Sequence, residues 1–117
     1  MTKTPPREVM TEIGELTAYH YNETQEQVKA YVIAGDMDKL EQMGFNNLYE
    51  CKKFLEEMNW SFFQDIANAL LEVYNENNKT TYDQSIGALI AGLCKKENWD
   101  ELVRAGTKKQ KDNILLK

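Results

Sequence analysis

Apolar residues recur along this chain at the three- and four-residue spacing of amphipathic helices, and no alternating strand pattern competes with that spacing. After two prolines near the N-terminus, the first apolar face predicts a helix over about residues 6–20. A second helix is predicted over about residues 25–34, where Thr24 and Gln27 match the reciprocal capping box. Gly35 is expected to end this helix in a left-handed conformation.

Further predicted helices follow the same capping chemistry. Asp36 caps a short helix that Gly44 ends, and Asn47 opens the next one. The later helices begin at polar residues, namely Ser61, Thr80 or Thr81, and Asn98. The polar run at 74–78 is predicted to be a loop. The apolar residues expected on inward faces include Met37, Leu40, Met43, Leu48, Cys51, Phe54 or Leu55, Met58, Phe62, Ile66, Ala69, Leu70, Val73, Ile86, Leu89, Ile90, Leu93, Trp99, Leu102 and Val103.

Short connections between these helices predict an all-α fold, a compact irregular or orthogonal bundle of about six to seven short helices. Gly106 is expected to end the last helix. The sequence therefore predicts a single all-α domain over residues 1–106, followed by a basic C-terminal tail at 107–117 that ends in an apolar patch.

Two twelve-residue stretches resemble each other without a gap: TQEQVKAYVIAG at 24–35 and TYDQSIGALIAG at 81–92. Duplication and convergence both explain the match, because Thr and Gln at a cap, small residues in close packing and Gly at a helix end are each favoured by physics. A duplication predicts two similarly capped helices in related positions, as a pair of helical hairpins.

Composition narrows the class of protein. The chain of 117 residues is 42% hydrophobic and 28% charged, which suits one globular domain with its own core. It contains neither a long apolar run nor a signal-peptide pattern, so we expect a cytoplasmic protein with no membrane partner. Cys51 and Cys94 lie outside any CxxC or Cys/His cluster and are expected to be reduced core thiols.

The net charge of −5 is unevenly distributed. Residues 107–117 contain four lysines and one aspartate, a balance of +3, so residues 1–106 carry −5 − 3 = −8. An acidic body argues against broad contact with nucleic acid, because that attraction needs clustered cations. The basic tail is the one segment whose charge suits an acidic partner.

Residues with recognisable catalytic or metal-binding spacing are missing from the sequence. The single histidine, His20, lies beside Tyr19 and Tyr21, where packing explains it better than a role as ligand or base. Neither a metal-ligand spacing nor a glycine-rich phosphate motif occurs. The sequence thus predicts no catalytic residue, no cofactor and no metal.

The function that fits these features is a small non-catalytic protein-binding module, a regulator, inhibitor or assembly factor of the bacterial or phage accessory type. Its partner is expected to be another protein or a second copy of itself. One alternative is a nucleic-acid-associated accessory factor that uses the C-terminal tail, and another is an enzyme subunit that requires a partner. The expected partner-binding residues are aromatic or basic: Tyr21, Tyr31, Trp60, Lys95, Lys96, Lys108, Lys109 and Lys111.

Overall fold

Helices account for nearly all regular structure in this protein. The computed structural model describes residues 3–94 and 98–112, of which 78% are helical. The helices are α1 (Arg7–Ala34), α2 (Met37–Gln42), α3 (Leu48–Glu56), α4 (Trp60–Asn78), α5 (Gly87–Leu93) and α6 (Trp99–Asp112). This part of the chain has no strand, only an isolated bridge between Lys3 and Tyr82. The predicted all-α helical bundle is confirmed, and no helix in the described ranges is long and apolar enough to cross a membrane.

The first two predicted helices are one continuous helix of 28 residues, so the predicted break around Tyr21 is wrong. Asn is a weak helix former, but its cost is well under about 1 kcal/mol, and residues 21–34 of α1 contain neither Gly nor Pro. Tyr21 is also fully buried, so packing holds the helix through this point. Thr24 consequently lies inside α1 and does not cap a helix.

The two similar stretches adopt different structures. Residues 24–34 are entirely helical, whereas 81–86 are not, and α5 begins only at Gly87. The prediction of two similarly capped helices is therefore wrong. The predicted helix start at Thr80 or Thr81 is wrong for the same reason, because residues 80–82 are hydrogen-bonded to α4.

Left-handed residues end three of the helices. At Gly35 (φ 70°), the Asp36 N–H donates to the Tyr31 carbonyl at 3.0 Å, and this confirms the predicted helix end. Gly44 (φ 100°) ends α2 in the same way. The helix α4 ends at Lys79, a non-glycine residue with φ 55°, so the loop predicted at 74–78 is wrong and those residues are helical.

Two of the predicted N-caps are confirmed. The Asp36 carboxylate accepts the N–H of Lys39 at 3.2 Å, at the start of α2. The Asn47 side chain accepts the N–H of Glu50 at 2.9 Å, at the start of α3. The Glu50 carboxylate in turn accepts the N–H of Asn46 at 2.9 Å, one residue earlier than in the standard capping box.

The chain divides into two compact units, and α1 contributes to both. Unit 1 comprises Met1–Tyr21 and Trp60–Lys117, and unit 2 comprises Asn22–Asn59. The core of unit 1 contains Ile13, Ala67, Leu71 and Ile90. The buried apolar residues of unit 2 are Val28, Leu40, Cys51 and Phe54.

The buried face of α4 is shifted by one residue from the predicted face. The residues expected inside were Phe62, Ile66, Ala69, Leu70 and Val73, but Ala69 and Val73 are exposed. The buried residues are Phe63, Ala67, Leu71 and Asn75. Apolar residues occur in adjacent pairs along this helix, so spacing alone fits either face. A polar residue, Asn75, extends the buried face because its amide is hydrogen-bonded there.

Close helix packing in unit 1 depends on glycine. Gly106 lies within α6, and a Cβ there would collide with the Glu15 carbonyl oxygen of α1. The prediction that Gly106 ends the last helix is wrong, because its missing side chain serves this helix contact and α6 continues to Asp112. The boundary proposed at residue 106 therefore does not coincide with a helix end.

Candidate protein-binding site

Unit 2 exposes four large apolar side chains, which we call the unit 2 apolar surface. Their exposed fractions are 79% for Ile33, 38% for Met37, 55% for Leu48 and 72% for Tyr49. Unit 1 exposes three others, Val73, Leu89 and Leu93, although it contains more of the described chain. Exposed aromatic and aliphatic side chains of this size are typical anchors of protein interfaces.

Helix ends position all four residues. Ile33 precedes and Met37 follows the turn at Gly35, where two backbone hydrogen bonds of 3.0 and 3.2 Å close the end of α1. Leu48 and Tyr49 are the first residues of α3, directly after its Asn47 cap. Because capped ends have a defined backbone geometry, these side chains project from fixed points and not from a mobile loop.

Charges of both signs lie around the unit 2 apolar surface, including the exposed Lys29 one turn before Ile33 and the exposed Lys39 on α2. On α2, Asp38 and Glu41 are exposed next to and one turn beyond Met37. On α3, the exposed Lys52 and Lys53 lie four residues beyond Leu48 and Tyr49, which places them on the same helix faces. Lys52 is 4.0 Å from Glu56, and both side chains are mostly exposed, so this ion pair is weak.

The three aromatic residues predicted to contact a partner differ in how deeply they are buried. Tyr21 is fully buried, with its ring centroid 5.6 Å from that of Phe62 and 5.7 Å from that of Trp99. A partner cannot reach it in this conformation, so Tyr21 is a core residue. Tyr31 and Trp60 are half-buried, and the Trp60 ring packs edge-on against Phe63 at 5.4 Å. Contact of Tyr31 and Trp60 with a partner stays a prediction.

The five lysines predicted to bind a partner differ in their structural surroundings. Lys95 and Lys96 lie outside the described residues. Lys109 is 3.4 Å from the largely buried Glu15 of α1, which gives it a structural partner. Lys108 and Lys111 are exposed on α6 and share one face with the exposed Arg104 at spacings of three, four and seven residues. We call Arg104, Lys108 and Lys111 the basic face of α6.

Groups suited to chemistry do not converge in the described ranges. Residues 3–94 and 98–112 contain no cluster of three or more His, Cys, Asp or Glu residues able to hold a metal ion. The ring of His20 lies edge-on to that of Tyr19 at 5.1 Å. Burial and the nearby Glu15 carboxylate raise the pKa of the Cys94 thiol to about 11, which opposes a role as a nucleophile.

Sequence reasoning missed the unit 2 apolar surface. The prediction that Met37 and Leu48 lie on inward faces is wrong, because both side chains are exposed. In α1 the run Tyr31-Val32-Ile33 offers adjacent apolar residues, so spacing could not distinguish the buried face. The available signal was position, because all four residues lie within a few residues of a predicted cap.

The chain was compared with models of known protein families, with curated proteins and with solved structures, and no match was found.

Proposed function

We propose that this chain is a small non-catalytic protein-binding module and that the unit 2 apolar surface is its binding site. The observation that carries the proposal is the exposure of Ile33, Met37, Leu48 and Tyr49 within one small unit. Fully burying an aliphatic or aromatic side chain is worth about 1.5–3 kcal/mol, so covering even two of them favours association. Tyr49 adds a hydroxyl that can bond to a partner while its ring is buried.

Capture experiments with matched variants test this proposal. The wild-type chain and the variants Ile33→Gln, Leu48→Gln and Tyr49→Gln are used as baits in extracts of the native host, and captured proteins are quantified by mass spectrometry. We expect specific capture by the wild type and at least a tenfold loss in each variant, as found for interface anchors worth about 1.4 kcal/mol or more.

The control is Leu89→Gln, which makes the same aliphatic-to-amide change at an exposed position of unit 1. It should leave capture unchanged. A wild-type chain that is strictly monomeric and captures no protein specifically would contradict the proposal. Capture that depends on Leu89 but not on Ile33, Leu48 or Tyr49 would contradict the assigned site.

A second candidate function is binding of nucleic acid through the basic face of α6. The observation that favours it is the extension of α6 through residues 107–112, which aligns Arg104, Lys108 and Lys111 on one exposed helix face. Among the described residues of α6, no large apolar side chain lies on this face, and phosphate groups need cations and not apolar anchors. Truncation at residue 106 would cut the helix and remove the Glu15–Lys109 ion pair, so substitutions are the cleaner test.

Fluorescence anisotropy with a labelled DNA duplex at low salt measures this activity. If three phosphate contacts form, the logarithm of the binding constant should fall with the logarithm of salt concentration with a slope of about −2.7. Changing Arg104, Lys108 and Lys111 to Gln should abolish binding, whereas changing the exposed Lys29, Lys39 and Lys52 to Gln should preserve most of it. Equal loss in both triple variants, or no binding by the wild type, would exclude the basic face as a nucleic-acid site.

A further inference from the structure

We infer that residues 113–117, the segment that follows α6, pack against an exposed apolar flank of α5 in the same chain. This flank consists of Leu89 and Leu93, whose side chains are 49% and 39% exposed and lie one turn apart on one face of the helix. We call these two residues the α5 flank. The inference concerns unit 1 alone, so it goes beyond the proposed function and does not depend on it.

The α5 flank lies on the side of α5 that is turned away from α4. The Gly87 N–H donates to the Asn68 side chain at 2.6 Å, so the Gly87 face of α5 is directed to α4. Ile90 is directed to α1, because a Cβ at Gly14 would lie 3.5 Å from its Cγ2. At about 100° per residue, Ile90 lies about 60° around α5 from Gly87, and the α5 flank lies about 120–160° around in the same sense.

The helix α6 lies on that same side of α5. Along α1, Ile13 belongs to the core that α4 shares, and the next residue, Gly14, faces α5. The residue after it, Glu15, meets Gly106 of α6 through its carbonyl oxygen. Because consecutive helix residues are about 100° apart, the order of helices around α1 is α4, α5 and α6. The α5 flank is therefore turned toward α6.

The helix α6 runs antiparallel to α1 and ends within reach of the α5 flank. At its start, the Trp99 ring lies 5.7 Å from the ring of Tyr21, and near its end the Lys109 ammonium group is 3.4 Å from the Glu15 carboxylate. The last turn of α5 approaches Gly14, the residue before Glu15. The last turns of α5 and α6 are therefore close to the same level along α1.

The length and composition of residues 113–117 suit this site. They read Asn-Ile-Leu-Leu-Lys and lie outside the described residues. Fully extended, five residues span about 17 Å, whereas Leu89 and Leu93 are about 6 Å apart along the helix axis. The other segments outside the described ranges, 1–2 and 95–97, contain one apolar residue and none. Only residues 113–117 bring adjacent aliphatic side chains, whose burial against the α5 flank is favourable.

Methyl NMR spectroscopy of the full-length chain tests the contact directly. We expect nuclear Overhauser effects between the methyl groups of Ile114, Leu115 or Leu116 and those of Leu89 and Leu93. An equimolar mixture of isotope-labelled and unlabelled chains shows whether these contacts lie within one chain. Absence of the contacts overturns the inference. Contacts found only between chains also overturn it, because the segment then packs on a second copy.

Trimming by carboxypeptidase Y measures how much of the time the segment is docked. Mass spectrometry follows the removal of residues 113–117 from the wild type and from the double variant Leu89→Gln with Leu93→Gln. At low protease concentration the cleavage rate follows the population of the undocked form. We expect trimming to be about tenfold faster in the double variant, as it should be if about nine in ten wild-type molecules are docked.

A matched control separates loss of docking from a general effect of the substitutions. Val73→Gln makes an aliphatic-to-amide change at an exposed position of α4 and should be trimmed at the wild-type rate. If circular dichroism shows that the double variant has unfolded, Leu89→Ala with Leu93→Ala replaces it, with a smaller expected acceleration. Equal trimming of the wild type and the folded double variant overturns the inference, as does equal acceleration by Val73→Gln.

Discussion

The side-chain amide of Asn75 pairs with both backbone polar groups of Tyr82. Its Nδ2 donates to the Tyr82 carbonyl at 2.8 Å, and its Oδ1 accepts the Tyr82 N–H at 3.1 Å. The same Oδ1 accepts the Thr80 hydroxyl at 2.8 Å. Asn75 is buried, so one side chain replaces the water that the non-helical segment after α4 would otherwise bind. This pairing explains why a polar residue continues the buried face of α4.

Replacement of Asn75 by Ala should lower the free energy of unfolding by about 2–4 kcal/mol, because three hydrogen bonds are lost and the polar groups of Tyr82 are left without partners. Urea unfolding followed by circular dichroism measures the loss. Asn78→Ala is the matched control one turn further along α4, where the side chain donates to the Tyr74 carbonyl at an exposed site. It should change stability by less than about 0.5 kcal/mol, and equal losses in the two variants would show that the Asn75 pairing is unimportant.

Local capping chemistry made part of the fold predictable. Gly35 and Gly44 end helices, and Asp36 and Asn47 begin them, because each of these functions depends on the residue itself and its near neighbours. The Asn-rich run at 74–78 was misassigned because a distant partner decides its structure: the amide of Asn75 is satisfied by residues 80–82. Gly106 was misassigned for the same reason, because its role depends on α1.

The candidate site was less predictable than the fold. Hydrophobic spacing identifies residues able to face a core, but it cannot tell which of two adjacent apolar residues does so. Ile33 and Leu48 are apolar, occupy helices and nevertheless face solvent. Lys108 and Lys111 are exposed, but they lie on α6 and not on a separate tail. The sequence did not indicate that Glu15 would pair with Lys109.

Replacement of Lys79 by Gly should stabilise the protein by about 0.5–1 kcal/mol. Lys79 has φ 55°, a left-handed conformation that is strained for a residue with a side chain but not for glycine. The stability gained by removing this strain is partly offset, because glycine has greater conformational freedom in the unfolded chain. The same change at Lys108, an exposed position inside α6, should destabilise by about 1 kcal/mol. Thermal unfolding shows whether each variant is more or less stable than the wild type. Destabilisation by Lys79→Gly would contradict the strain argument.

Two helical glycines should respond oppositely to replacement by Ala. A Cβ at Gly106 would collide with the Glu15 carbonyl oxygen and would lie 2.8 Å from the Tyr19 Cβ, so α1 and α6 would have to separate. We expect a loss of about 1–3 kcal/mol. No atom lies within 4 Å of a Cβ at Gly92 in α5, where Ala should gain about 0.5–1 kcal/mol from its better helix propensity. Urea titrations should give opposite signs, and a neutral Gly106→Ala would show that the helices are not tightly packed there.

The buried thiol of Cys94 should make stability fall at alkaline pH. Its pKa is raised from 9.0 to about 11, first by burial and then by the Glu15 carboxylate, so between these values the unfolded chain loses a proton that the folded chain retains. Deprotonation therefore favours unfolding as the pH rises through this range, while below pH 9 the thiol contributes no pH dependence. With an allowance for residual solvent screening, the loss should be about 1–2 kcal/mol between pH 9 and 11.

Urea unfolding of the wild type and Cys94→Ala across pH 8–11 isolates this contribution, because ionisation of the other groups is common to both chains. The variant removes a side chain packed close to Gly14 and will differ in absolute stability, so the informative quantity is the change with pH. The difference in unfolding free energy between the two proteins should be constant up to about pH 9 and should then move in favour of the variant. Parallel curves through pH 11 would mean that the thiol ionises as readily in the folded chain as in the unfolded one, and would contradict its burial between α1 and the end of α5.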